Sequence, residues 1–163
     1  MTWEITHSGA NPRQRMNWLK ASRQFADTAG PLIRTALKAE APVGKPSLTK
    51  TNQPGRLRDS IRYERPVTTA DRLTMTFNAY TPYARYVLEG TKPHQIRPKA
   101  ARYLAFYGSD GRAVYVGPRG NPDRFVNHPG TRANPFNRRA IDRVRPVYQR
   151  LWQTIVRESI EGY

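Results

Sequence analysis

A chain of 163 residues is the size of one compact domain, large enough to bury a core without staples. It contains no cysteine, which excludes disulfides, thiolate catalysis and thiolate metal sites. Twenty-eight basic against twelve acidic residues leave a formal charge of +16, a balance that favours polyanionic partners such as DNA.

Most of the cations are arginine, which forks onto phosphates and carboxylates alike. They are spread along the whole chain without a run of five or six, so acidic protein neighbours or a soluble, self-repelling monomer suit them as well. Met1-Thr2-Trp3-Glu4 lacks the basic-then-apolar order of a secretion signal, and no apolar run approaches membrane-spanning length. We expect a protein made in a cytoplasm, with no membrane partner.

The chain reads as one α+β domain: a small, mainly antiparallel sheet packed by a long N-terminal and a long C-terminal helix. An arm covers residues 1–10, in which Trp3-Glu4-Ile5-Thr6 alternates like a short edge strand. Over 11–41 the pattern turns helical, with Trp18, Phe25, Ala29, Leu32 and Ala36 at spacings of three, four and seven. Gly30-Pro31 predicts a kink or two consecutive helices there, and Pro42 a stop. Residues 42–55, with three prolines and two glycines, predict a long exposed loop.

The region 56–133 is β-rich, with a short helix over 82–89. Residues 60–67 and 72–79 predict two strands around a polar turn, the second alternating Leu73, Met75 and Phe77 with Thr74, Thr76 and Asn78. Residues 103–107 and 113–116, joined through Asp110-Gly111, predict a hairpin. The C-terminal helix, 134–161, has the clearest pattern. From Phe136 to Ile155 its apolar residues fill one half of a helical wheel and Arg138, Arg139, Arg143 and Arg150 lie on the other. Asn134 and Pro135 suit the helix start, and Pro146 falls on the polar side.

Catalytic patterns are scarce. His7, His94 and His128 show no helical ligand spacing, and hydrogen bonding to backbone in proline-rich turns is their expected role. Gly44-Lys45-Pro46-Ser47 fails as a phosphate loop, because the upstream glycine is missing and Pro46 removes an amide. Asp59, Glu64, Glu89, Asp110, Asp123 and Asp142 are scattered, unlike the clustered carboxylates of a two-metal nuclease. We expect no enzyme and no cofactor or metal. A small hydrolase or nuclease using Glu89 and His128 stays as a rival reading.

Three islands stand out. In Pro54-Gly55-Arg56-Leu57-Arg58-Asp59-Ser60-Ile61 a loop ends at a glycine, one turn points Leu57 inward and Ile61 begins a strand. In Tyr83-Ala84-Arg85-Tyr86-Val87-Leu88-Glu89-Gly90-Thr91 the residues Tyr83, Tyr86, Val87 and Gly90 share one helical side. Gly90 there suits a left-handed C-cap, and Glu89, disfavoured by the helix dipole, calls for a cationic or amide partner. The third, residues 126–136, passes through His128-Pro129-Gly130 to Asn134-Pro135-Phe136, where Phe136 anchors the last helix.

Together with Pro93-His94-Gln95-Ile96-Arg97-Pro98-Lys99, these islands resemble, in order, the tail-completion and neck proteins of long-tailed bacteriophages, often labelled minor tail or head–tail joining proteins. The family pattern runs Gly-x-Leu-x-x-Ser-Ile, Tyr-x-x-Tyr-Val-x-Glu-x-Gly-Thr, Pro-His-x-Ile-x-Pro-Lys, then His-Pro-Gly and Asn-Pro-Phe. The likeness spans roughly residues 36–145. The glutamate is shifted here to Leu88-Glu89-Gly90-Thr91, the stretch 43–54 is longer than the family's linker, and the first thirty residues have no counterpart.

The resemblance implies a virion ring protein, made in the host cytoplasm, commonly in six copies around the DNA channel. It implies head-connector and tail-tube or tail-terminator neighbours, and genomic DNA as a further contact. On that basis Gly55, Leu57, Ser60, Tyr86, Glu89, Gly90, His128, Pro129, Gly130 and Phe136 are its structural positions. Lys45, Leu48, Lys50, Lys92, His94, Ile96 and Arg97 fall in the candidate interface loops, 43–54 and 92–101. Arg139, Arg143 and Arg150 are candidates to face DNA or an acidic neighbour. A tail terminator or head-side adaptor, and a basic DNA-binding module, remain the alternatives.

Overall fold

The computed structural model describes residues 2–8, 15–44, 53–69, 72–99, 101–108, 110–117 and 125–161. The elements are β1 (Thr2–Ser8), α1 (Arg15–Glu40), α2 (Arg56–Asp59), β2 (Ile61–Tyr63), β3 (Val67–Thr68) and β4 (Arg72–Ala79), then α3 (Ala84–Glu89), β5 (His94–Ile96), β6 (Leu104–Tyr107), β7 (Ala113–Val116), β8 (Val126–His128) and α4 (Phe136–Glu161). The fold is α+β, with two long helices and small antiparallel sheets, as the periodicities predict.

β4 is the centre of the main sheet. It pairs from Arg72 to Asn78 with β1 on one side, and with β2 and β3 in turn on the other. Its alternation is realised: Leu73, Met75, Phe77 and Ala79 are buried, while Thr74, Thr76 and Asn78 are half-buried on the opposite face. The single strand expected over 60–67 is divided. Tyr63 faces Phe77 but Val67 faces Thr74, so the outer strand carries one extra residue around Arg65-Pro66. Proline cannot donate to the ladder, and a bulge takes up the residue.

α1 lies on this sheet, and α4 packs antiparallel onto α1. Small residues on α1 (Ala21, Ser22, Ala26, Ala29, Ala36) are buried and let its neighbours approach closely. Trp152 of α4 meets Trp18 and Phe25 of α1 edge-on, at ring centroids 5.5 and 5.2 Å apart. Of the two outcomes expected at Gly30-Pro31 the division does not occur, and α1 runs unbroken through it. The proline ring faces solvent, and Gly30 is buried beneath Tyr63, whose ring atoms lie 2.0–2.7 Å from where a Cβ would stand. Packing on two sides thus offsets the roughly 3 kcal/mol that an interior proline costs.

Tyr63 also donates its hydroxyl to the Ala26 carbonyl at 3.0 Å and stacks on Phe77. Burial, with the Asp27 carboxylate adding to it, pushes its phenol up to about 12. On α4 the predicted apolar face is buried at Phe136, Ala140, Val144 and Ile155, but Val147, beside Pro146, is exposed. Among the described residues no helix is long and apolar enough to cross a membrane.

Candidate functional site

The three islands converge at one place, the junction between the core and the segment 91–131. In the first, Gly55 adopts a left-handed conformation (φ 81°), α2 turns Leu57 into the core, and Ser60 Oγ donates to the Leu57 carbonyl at 2.8 Å. Ile61 then starts β2, fully buried. In the second, α3 buries Ala84 and Leu88. Tyr83 and Val87 flank that face, whereas Tyr86 points to solvent, unlike the shared side expected for it. Its position lies far round the wheel from the Ala84–Leu88 line, which has the core contact. Glu89 has the expected partner: Arg85 Nε donates to its Oε2 at 2.8 Å.

The Gly90-Thr91 and Gly130-Thr131 steps form a crossing. Thr91 N donates to the Thr131 carbonyl at 2.9 Å, and Thr131 N returns the bond to the Thr91 carbonyl at 3.1 Å. A Cβ on Gly90 would stand 2.5 Å from the Thr131 oxygen, and one on Gly130 would stand 2.4 Å from the Thr91 oxygen. Both glycines have positive φ. Gly90, at φ 76° and ψ −179°, is not in the expected left-handed cap but in an extended conformation open mainly to glycine. It turns the end of α3 directly into the crossing.

Beyond the crossing, Asn134 N donates to the Val87 carbonyl at 3.0 Å, and Phe136 is fully buried at the start of α4. The expected helix start at Asn134 is displaced by two residues, and the Asn134 side-chain oxygen accepts from Arg139 Nη2 at 2.7 Å. A groove of about 490 Å³ lies over this junction, lined by Pro42, Gly55, Leu57, Tyr83, Val87 and Arg132 among others, and is mainly apolar.

Outward from the junction, the candidate interface loop 92–101 contains a short strand, β5. β5 pairs with β8, His94 opposite His128 and Ile96 opposite Val126, so His94 and Ile96 belong to a two-stranded ribbon, with Lys92 and Arg97 flanking its strand. The Arg97 guanidinium lies over the Phe125 ring, 5.0 Å from its centre. The candidates Lys45, Leu48 and Lys50 lie outside the described residues. A second ribbon follows, in which β6 and β7 pair in the predicted hairpin, with Asp110 Oδ1 accepting from Arg112 N at 3.0 Å.

The two histidine rings come together, 5.1 Å between centroids. His94 Nδ1 donates to the Lys92 carbonyl, while His128 Nδ1 accepts from Gly130 N. These bonds assign opposite tautomers, with the proton of His128 on Nε2. A metal shared through both Nε2 atoms would break the Gly130 bond. Among the described residues no group of three or more metal-binding side chains converges.

Two of the three arginines proposed for the outer face of α4 pair with a carboxylate. Arg139 and Arg143 both reach Glu40 at the end of α1, at 3.2 and 2.6 Å, and only Arg150 projects from its own helix, donating to the Pro146 carbonyl. Asp59 is bonded by Arg58, Asp110 by Arg112 and Asp142 by Arg138 and Arg145; Asp123 lies outside the described residues. Glu64 accepts from Tyr80 at 2.6 Å and from Asn78, and these two bonds hold its carboxyl below the ordinary range. The local sequence carried no sign of that Glu64–Asn78–Tyr80 cluster on the outer face of the sheet.

The geometry thus offers a packed base and two projecting ribbons, with Glu40, Asp59, Glu64, Glu89, Asp110 and Asp142 engaged by neighbours. Comparison with protein families, curated proteins and solved structures finds no match.

Proposed function

We propose that the chain is a structural subunit of a long-tailed phage, forming a ring in the neck or tail-completion region that joins tail to head around the DNA channel. On this reading it is not an enzyme, and it is made in the host cytoplasm and carried in the virion. Its partners are its own copies and the proteins of the connector and tail above and below.

One observation carries the proposal. Between Gly90 and Phe136 no described residue is buried, although the segment holds Leu104, Phe106, Val114, Tyr115 and Val116. An isolated two-stranded ribbon is marginal in water, and two of them projecting from a well-packed core suit surfaces that other chains cover. The base of those ribbons is built from the segments that resemble the neck family. Closed rings of identical subunits need such non-self-complementary projections and grooves on one chain.

The rival DNA-binding module draws less support, since Arg139 and Arg143 are held by Glu40. Immunogold labelling of intact virions with antibody to the chain tests the reading. Label at the head–tail joint supports it, and label confined to the capsid shell, the distal tail or no particle contradicts it.

A further inference from the structure

We infer that the β6–β7 ribbon is the surface through which one copy of this chain meets another. In an antiparallel pair, residues directly opposite share a face. Leu104, Phe106, Val114 and Val116 therefore lie on one side and Ala105, Tyr107, Ala113 and Tyr115 on the other. Both faces are apolar. A ribbon that only projects into water should alternate apolar with polar, as β4 does. Here none of the eight is fully buried, and Tyr107 and Tyr115 are 47% and 67% exposed.

The distribution of charge identifies the occupant. The chain carries +16, so two copies repel wherever their ordinary surfaces meet. Yet residues 103–108 and 113–117 contain no Lys, Arg, Asp, Glu or His, and the turn between them pairs Asp110 with Arg112. An acidic neighbour would be recognised by the cationic surface. This uncharged strip suits a partner that is itself strongly basic, and a second copy has that property. A fully buried aromatic removes about 150–250 Å² from water. Tyr103, Phe106, Tyr107 and Tyr115 with their aliphatic neighbours can thus supply roughly half of the about 800 Å² that one side of a standard interface needs.

The inference deepens the ring reading and rests on it for the expectation that copies meet at all. Its signature is the response to salt. Screening shortens the Debye length from about 10 Å at 0.1 M to about 3 Å at 1 M, so an apolar contact between like-charged copies strengthens as salt rises. A contact to DNA or to an acidic protein weakens instead.

The test is sedimentation equilibrium of the full chain across that salt range, beside the double variant Tyr107→Lys/Tyr115→Lys. Both positions are outside the core, and circular dichroism checks that the variant folds. The expected result is an 18.7 kDa monomer at low salt that forms discrete oligomers at high salt, about tenfold or more tighter, while the folded variant stays monomeric. A wild-type chain monomeric at every salt concentration overturns the inference, as does an oligomer that the variant retains or that salt dissolves. Whether the protein sits at the neck is read separately from the labelled particles, so either idea can fail alone.

Discussion

Glu40 Oε1 lies 2.6 Å from Arg143 Nη2, and its other oxygen lies 3.2 Å from Arg139 Nε, fastening the last turn of α1 to the first turns of α4. A carboxylate at a helix C-terminus opposes the dipole, and two arginines from the neighbouring helix offset that cost. The Glu40 side chain is only 13% exposed, whereas the two arginines are about half or more exposed. Arg143→Ala should therefore lower unfolding free energy by about 0.5–1 kcal/mol. In a double-mutant cycle with Glu40→Gln the two losses should not add. Retention on a DNA column should stay unchanged, because this arginine serves the helix pair.

The Gly-Thr crossing gives a local prediction. Gly90→Ala and Gly130→Ala each place a methyl against a backbone oxygen, at 2.5 and 2.4 Å, and each impose a positive φ on alanine. Each should cost about 2–4 kcal/mol, combining backbone strain with overpacking. Hydrogen exchange should localise the damage. Amides of 91–131 should lose protection while those of α1 and β4 keep theirs.

Stability should also fall in acid for a reason that can be assigned. The hydrogen bonds from Tyr80 and Asn78 hold Glu64 below its ordinary 4.5, and the Arg58 hydrogen bond holds Asp59 below 3.8. The folded chain releases these protons more readily than the unfolded one, so their contribution is complete above the ordinary values and is lost as pH drops through the folded ones. Urea midpoints should decline below about pH 4.5. Glu64→Gln should reduce the slope of that decline.

Ser22 sits fully buried in α1, and its hydroxyl has no hydrogen-bond partner among the described residues. Ser22→Ala removes an unsatisfied oxygen and improves helix propensity. We expect a stability change between zero and a gain of about 1 kcal/mol, read from thermal melts.

What the sequence disclosed follows from the range of each interaction. α4, β4 and the β6–β7 hairpin were legible because their burial repeats with the period of the element, and Asp110-Gly111 marks its own turn. The divided outer strand was hidden because the bulge at Pro66 shows only against β4. The unbroken α1 depends on Tyr63 covering Gly30, a contact between distant segments. The strand β5 within 92–101 is hidden for the same reason, since its partner lies about thirty residues on. Nor could a helical wheel show that Arg139 and Arg143 reach back 99 and 103 residues to Glu40.

The central claim, a ring subunit joining tail to head, is met most directly by electron microscopy of lysates from phage carrying a stop codon in this gene. Filled heads lying apart from full-length tails are the expected result, with joined particles restored by the chain supplied in trans. Normally joined, infectious particles in the absence of the chain would contradict the account.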